Sequence, residues 1–106
     1  MPKYLAQGSY TTEGLQGLLK DGGSKRREVI EQAIKALGGT LEGFYFAFGD
    51  NDVYGIIDMP DNVSSAAVAL AINASGAAKL KTTVLLTAEE VDRATRMTVN
   101  YRPPGQ

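Results

Sequence analysis

The acidic residues best suited to chemistry lie near the middle of the 106-residue chain, where Asp50 and Asp52 share one short polar segment and Asp58 follows. Two carboxyl groups in unequal surroundings can act as an acid and base pair or bind a hard cation. The same residues are typical of a polar β-turn, because Asp and Asn are favoured there. A turn is the simpler interpretation, and an acid–base or binding site is the functional one.

Three cations, Lys25, Arg26 and Arg27, open a predicted helix, a placement that the helix dipole disfavours. Helical spacing puts Arg26 in line with the apolar side of that helix and directs Arg27 outward. Two interpretations follow. Arg26 forms an internal ion pair with an acid such as Asp52 or Asp58, or it holds an anionic ligand at the helix end.

Phenol groups are predicted on or beside a sheet at Tyr10, Tyr45 and Tyr54. A sheet-lined cavity with a few polar groups is a natural ligand pocket, and a tyrosine there can donate a hydrogen bond or, if its pKa falls, act as a base. Packing in the core or at an interface explains the same residues. The candidate ligand-binding set is Tyr10, Arg26, Tyr45 and Asp52, with Asp52 and Tyr45 as weak catalytic candidates.

Composition excludes several classes of function. The chain has no cysteine and no histidine, so thiolate nucleophiles, thiolate metal sites and the usual proton shuttle are missing. We expect no metal site and no cofactor, and no phosphate-binding loop or dinucleotide fingerprint is present. A net charge of -1 argues against nucleic acid as a partner. No apolar stretch is long enough for a membrane span or a secretory signal, so we expect a cytoplasmic protein.

The elements that must position these residues alternate along the chain. Strands are predicted at residues 3–10, 41–48, 53–59 and 80–87. Thr11 or Thr12 caps a short first helix, Ser24 caps a second, and Asp61 or Asn62 caps a third that runs to about residue 75. The third helix is expected to lie on the sheet through Val63, Ala66, Ala67, Leu70 and Ala74. A fourth helix is predicted from residue 88 to about 96, because Thr87 and Glu90, three residues further on, have capping-box spacing.

The second strand is apolar on both faces. Phe44, Phe46 and Phe48 alternate onto one face, and Leu41, Tyr45 and Ala47 onto the other. If helices cover one face, a lone chain leaves an apolar patch on the other, and a second sheet stacked on it is the simplest cover. We therefore expect a homodimer or a higher homo-oligomer.

The order β-α-β-β-α-β predicts an α+β, ferredoxin-like fold, in which a four-stranded antiparallel sheet carries its main helices on one face. An extra C-terminal helix and a tail are added to it. We assign residues 1–96 to a single domain and residues 97–106 to an extended C-terminal tail.

Short signatures in order also give the sequence a family resemblance: Tyr10-Thr11 with Gly14, Lys25-Arg26, Gly38-Gly39 before an aromatic strand, Gly49 with Asp52, and Pro60-Asp61. In this respect residues 3–88 resemble the GYD-domain family. The resemblance implies a dimeric α/β-barrel architecture and no established activity. It favours Asp52 over Asp50, because the family motif keeps an aspartate there, whereas Asn51 stands where the family has its tyrosine.

These observations predict a homo-oligomer that binds a small, mostly apolar or weakly anionic molecule between sheet and helices. Catalysis without a cofactor on a small organic substrate is one form of this function, with Asp52 or a tyrosine moving protons. A non-catalytic assembly or regulatory module is the alternative. A polar-lined cavity favours the ligand, whereas a filled interior with Arg26 paired to acids counts against it.

Overall fold

The structure, a computed structural model, describes residues 1–106. Its elements follow the chain in this order: β1 (Lys3–Tyr10), α1 (Thr12–Asp21), α2 (Gly23–Ala36), β2 (Thr40–Phe46), β3 (Val53–Asp58), α3 (Asn62–Ala74), β4 (Ala78–Leu85) and α4 (Ala88–Thr95). The four strands form one sheet in the order β2-β3-β1-β4, and every neighbouring pair is antiparallel. The predicted α+β, ferredoxin-like class is confirmed.

Local signals set most helix ends. The Thr11 side chain accepts a hydrogen bond from the Gly14 N–H at the start of α1, and Asp61 and Ser64 form a capping box at the start of α3. The predicted cap of α2 at Ser24 is wrong. Gly22, at φ +83°, both ends α1 and precedes α2, so the second helix already begins at Gly23.

A β-bulge in β2 changes which side chains share a face. Leu41 pairs with Ile57 and Gly43 pairs with Ile56, so Glu42 is an extra residue in the strand. Leu41 therefore packs on the helix-covered face together with Phe44, and not with Tyr45 as strict alternation predicted. Phe48 lies beyond the strand and is fully exposed, so the expected row of three phenylalanines is also wrong.

The face of α3 that meets the sheet also differs from the prediction. Ser65, Val68, Ala69 and Ile72 line the space above the sheet, whereas Val63 and Leu70 of the predicted stripe are 79% and 69% exposed. Because α3 is apolar almost all the way round, its periodicity does not single out one face. The packing of α3 against β4 determines which face of the helix meets the sheet.

The tightest packing lies at the end of the sheet where β1 begins. Its cluster consists of Tyr4, Ile34, Leu41, Ile57 and Met59. No helix packs on the opposite face of the sheet, which we call the open face. It presents Leu5, Tyr45, Tyr54, Ile56 and Leu85 together with the polar side chains of Lys3, Gln7, Asp58 and Lys81. No helix in the chain has the length and apolar character needed to cross a membrane.

Candidate functional site

A cavity lies between the sheet and the two helices α2 and α3. Helix α2 packs on β2 and α3 packs on β4, so the central strands β1 and β3 lie beneath the gap between the helices. The residues that these strands present to the gap include Ala6 and Gly55, which are too small to fill it. Because α2 and α3 lie apart and the strands below them carry small residues, a space remains between the helices and the sheet.

The cavity is mostly apolar. Its volume, counted as the space in which the centre of a water molecule can move, is about 100 Å³, which is room for several waters or a small organic molecule. Of its 19 lining residues, 14 are hydrophobic. The polar side chains among the other five are Arg26, Ser65, Ser75 and Thr82, and Tyr10, counted with the hydrophobic residues, adds a phenol group. An apolar pocket with a few polar groups is the usual design of a small-molecule site.

Tyr10 and Arg26 form the polar end of the cavity. Tyr10 is the last residue of β1, and Arg26 lies in the first turn of α2. Burial raises the pKa of the Tyr10 phenol above its ordinary value of 10.0. The nearby positive charge of Arg26 lowers that pKa, but burial outweighs it. Tyr10 is therefore held as a neutral hydroxyl beside a guanidinium.

Arg26 has no carboxylate partner. Both ion pairs of the structure belong to Lys3, which contacts Glu42 and, at 3.0 Å, Asp58. Asp58 is thus engaged elsewhere. The predicted internal ion pair of Arg26 with Asp52 or Asp58 is wrong, because the hairpin directs these acids to other partners.

Asp52 connects the β2–β3 hairpin to β1. Its carboxylate accepts a hydrogen bond from the Tyr10 N–H at 2.9 Å, and its own N–H donates to the Gly8 carbonyl at 2.8 Å. The Ala47 N–H donates to the Asp52 carbonyl, also at 2.8 Å. Asp52 is not part of the cavity lining, but it supports the strand end that carries Tyr10.

Tyr45 lies apart from the other candidates. It is 66% exposed on the open face, where it stands opposite Tyr54 of the neighbouring strand. The structure therefore brings Tyr10, Arg26 and Asp52 together and leaves Tyr45 on the far side of the sheet. No group of three acidic side chains lies close enough together to hold a metal ion.

Ser65 is a cavity residue that the sequence analysis missed. It is 4% exposed, and its hydroxyl has no hydrogen-bond partner. A buried hydroxyl without a partner is costly, so it marks a place where a ligand or water completes the bonding. The available signal was a serine inside the apolar run of α3, on the face that the predicted stripe ignored.

Comparison with known families decides what kind of domain this is. A family model described as "GYD domain" matches residues 4–95. The chain belongs to the GYD-domain family. The matched segment of this GYD domain contains all the cavity residues and α4, and it ends at residue 95. Searches of curated proteins and of solved structures returned no match.

Proposed function

We propose that this GYD domain binds a small molecule with an apolar body and an acidic group in the cavity between the sheet, α2 and α3. The observation that supports the proposal most directly is Arg26, a guanidinium at a mostly apolar cavity with no carboxylate partner. A charge beside an apolar space gains most from an opposite charge. A carboxylate on the ligand would supply it.

Tyr10 adds a neutral donor next to Arg26. A phenol whose pKa is at or above 10.0 is neutral at physiological pH, so the Tyr10 hydroxyl can donate a hydrogen bond to the same acidic group. A tyrosine that acts as a base needs a lowered pKa instead. The site therefore favours binding over proton abstraction by Tyr10.

Ser65 provides a second polar contact further along the cavity. About ten helical residues separate it from Ser75, which also lines the cavity, and this corresponds to roughly 15 Å along α3. An elongated ligand fits these positions, with its acidic group at Arg26, an apolar chain over the central strands, and a polar group near Ser65. Water is the alternative partner for the serine.

We also propose that the domain works as a homo-oligomer whose copies stack through the open face. That face presents Tyr45, Tyr54 and Ile56 as an apolar strip without any helix packed on it, flanked by Lys3, Asp58 and Lys81. An exposed apolar patch rimmed by polar residues is typical of an interaction surface. The same surface supports the second candidate function, a non-catalytic assembly module, which would need no ligand in the cavity.

The test compares three molecules with the same apolar chain: hexanoate, hexanol and hexylamine. We expect hexanoate to bind about tenfold more tightly than hexanol, because a hydrogen bond to a charged group contributes about 1.5 kcal/mol or more. Hexylamine should bind least. Arg26→Gln should remove the preference for hexanoate, whereas Arg27→Gln, which deletes the neighbouring exposed charge, should keep it. Calorimetric titration measures all three affinities.

Native mass spectrometry of freshly purified protein complements the titration by detecting a ligand that co-purifies. Equal affinities for the three molecules, or an Arg27→Gln effect as large as that of Arg26→Gln, would contradict the acidic-ligand proposal. A protein that retains no ligand and binds none of the three would favour the assembly module.

A further inference from the structure

The last helix of the domain, α4, packs little against the sheet and the other helices. We define the C-terminal arm as residues 86–106, which comprise a two-residue link, α4 and the tail. The radius of gyration is 17.0 Å, against about 13 Å expected for a compact chain of this length, and the longest extent is 58 Å. Large apolar side chains on the arm are exposed: Leu86, Val91, Met97, Val99 and Tyr101. The body of its own domain leaves them uncovered.

Helix α4 has a well-formed N-terminal cap but packs little against the rest of the chain. Thr87 accepts a hydrogen bond from the Glu90 N–H at 3.1 Å, and the Glu90 carboxylate accepts one from the Thr87 N–H at 2.9 Å. Yet the helix has only eight residues, and isolated helices shorter than about 12 residues are marginal in water. Ala88, Val91 and Ala94 recur along it at spacings of three, which gives it an apolar side. Such a helix needs a surface to pack on.

An unfilled groove on the domain offers such a surface. It lies between α3 and the edge strand β4, and we call it the α3–β4 groove. Its volume, measured as for the cavity, is about 330 Å³, and five of its eight lining residues are hydrophobic. Ala66 and Ala69 form its helix wall, and Leu80 and Val84 form much of its strand wall. The small alanines permit close approach of another helix.

The arm does not reach the groove of its own chain. Only Leu86 and Thr87 connect β4 to α4, and Thr87 has an extended backbone with φ −75° and ψ 163°. Val84 of the groove lies two residues before this link, so a return onto the groove requires the chain to reverse within it. In the structure α4 packs little against the sheet and the other helices, and none of the arm's residues lines the groove.

We infer that the C-terminal arm of one copy docks in the α3–β4 groove of a second copy, with α4 as the main contact. Two uncovered apolar surfaces of one chain thereby cover each other. Reciprocal exchange of arms makes a closed pair with twofold symmetry, in which each contact occurs twice. The contact is separate from the open face, whereas four of the eight groove residues, Ser65, Ala69, Leu80 and Thr82, also line the cavity.

Cysteine cross-linking tests this contact cleanly, because the chain has no cysteine of its own. Full-length Val91→Cys protein is mixed with full-length Ala66→Cys protein, or with Val84→Cys protein, and oxidised mildly. All three positions are exposed, so the substitutions should leave the fold intact. Lys20→Cys on exposed α1 is the matched control partner. Mass spectrometry identifies the mixed disulfide dimer.

We expect the mixed dimer of Val91→Cys with Ala66→Cys or Val84→Cys to form about tenfold more readily than the dimer with Lys20→Cys. Dilution below the oligomer's dissociation range should abolish the difference. Mixed dimers no more abundant than the control would overturn the inference. So would a Val91→Cys/Ala66→Cys double variant that closes its disulfide within one chain, because the arm would then fold back on its own groove.

Discussion

Ser64 and Ser65 are neighbours on α3 with opposite surroundings. The Ser64 hydroxyl takes part in the capping box with Asp61, whereas the buried Ser65 hydroxyl has no partner. We expect Ser64→Ala to lower the free energy of unfolding by about 0.5–1 kcal/mol. Ser65→Ala should leave it unchanged or raise it by up to about 1 kcal/mol, since no hydrogen bond is lost. Urea unfolding measures both, and a larger loss for Ser65→Ala would show that its hydroxyl is bonded.

The Tyr10 phenol should make the domain sensitive to alkali. Its pKa is raised in the folded state by burial, so the folded protein favours the neutral form. Its contribution to stability is fully present below the ordinary pKa of 10.0 and is lost as pH rises through the folded value. Tyr10→Phe should therefore reduce the loss of stability between neutral pH and pH values above 10.0.

The matched control for Tyr10→Phe is Tyr101→Phe on the exposed arm. We expect this variant to follow the natural protein at every pH. Denaturant midpoints across the pH range provide the measurement. An identical alkaline decline in Tyr10→Phe and the natural protein would mean that the Tyr10 phenol is as well solvated in the folded state as in the unfolded chain.

At the scale of elements, the start of α1 packs against the turn between α3 and β4. The Thr11 N–H donates to the Ala77 carbonyl at 2.9 Å, and the Thr11 hydroxyl donates to the Gly76 carbonyl at 2.8 Å. A Cβ on Gly14 would lie 1.9 Å from the Ala77 carbonyl oxygen, so only glycine permits this approach. The contact holds the chain that follows Tyr10 against the start of β4.

Two glycines of α1 should consequently respond in opposite ways to alanine. Gly14→Ala must push α1 off the Ala77 backbone and is expected to lower the free energy of unfolding by about 1–3 kcal/mol. Gly17→Ala meets nothing within 4 Å and should raise it by about 0.5–1 kcal/mol, because alanine is the better helix former. Thermal and urea unfolding check both signs. Similar effects of the two changes would contradict the close seating of α1.

Element types were predictable, but the faces of two elements were not. The bulge at Glu42 moves Leu41 to the helix-covered face, and nothing in the alternation of β2 signals an extra residue. Helix α3 has apolar residues on every side, so either of two faces satisfied its spacing. In both cases the partner strand or sheet, which is distant in sequence, made the choice.

At the scale of the whole molecule, the open face should control the oligomeric state. Ile56 lies near its middle, on β3. We expect Ile56→Lys to convert the oligomer to smaller species at micromolar concentration, because a charge in the stacked interface loses its water. Leu19→Lys on α1, where the natural side chain is already 85% exposed, should not change it. Sedimentation velocity measures the state, and a natural protein that sediments as a monomer would contradict the stacking.

The C-terminal arm and the open face are proposed as two separate contacts between copies of the chain. Loss of the open-face contact in Ile56→Lys need not abolish cross-linking between Val91→Cys and Ala66→Cys, since the groove lies on the edge beside α3. A combined variant that retains cross-linking would show two independent contacts. Loss of both together would show that the arms exchange only within the stacked pair.

The sequence by itself determined the order of strands and helices, the cap at Thr87, and the membership of the family, and it narrowed two other caps to Thr11 or Thr12 and to Asp61 or Asn62. These features depend on residues a few positions apart or on short signatures in order, so a linear pattern contains them. Only the tertiary structure decided that Tyr10 and Arg26 meet at a cavity, that Ser65 faces it, and that Tyr45 does not. Those outcomes depend on contacts between residues far apart in sequence, above all on the small residues Ala6 and Gly55 under the gap between α2 and α3.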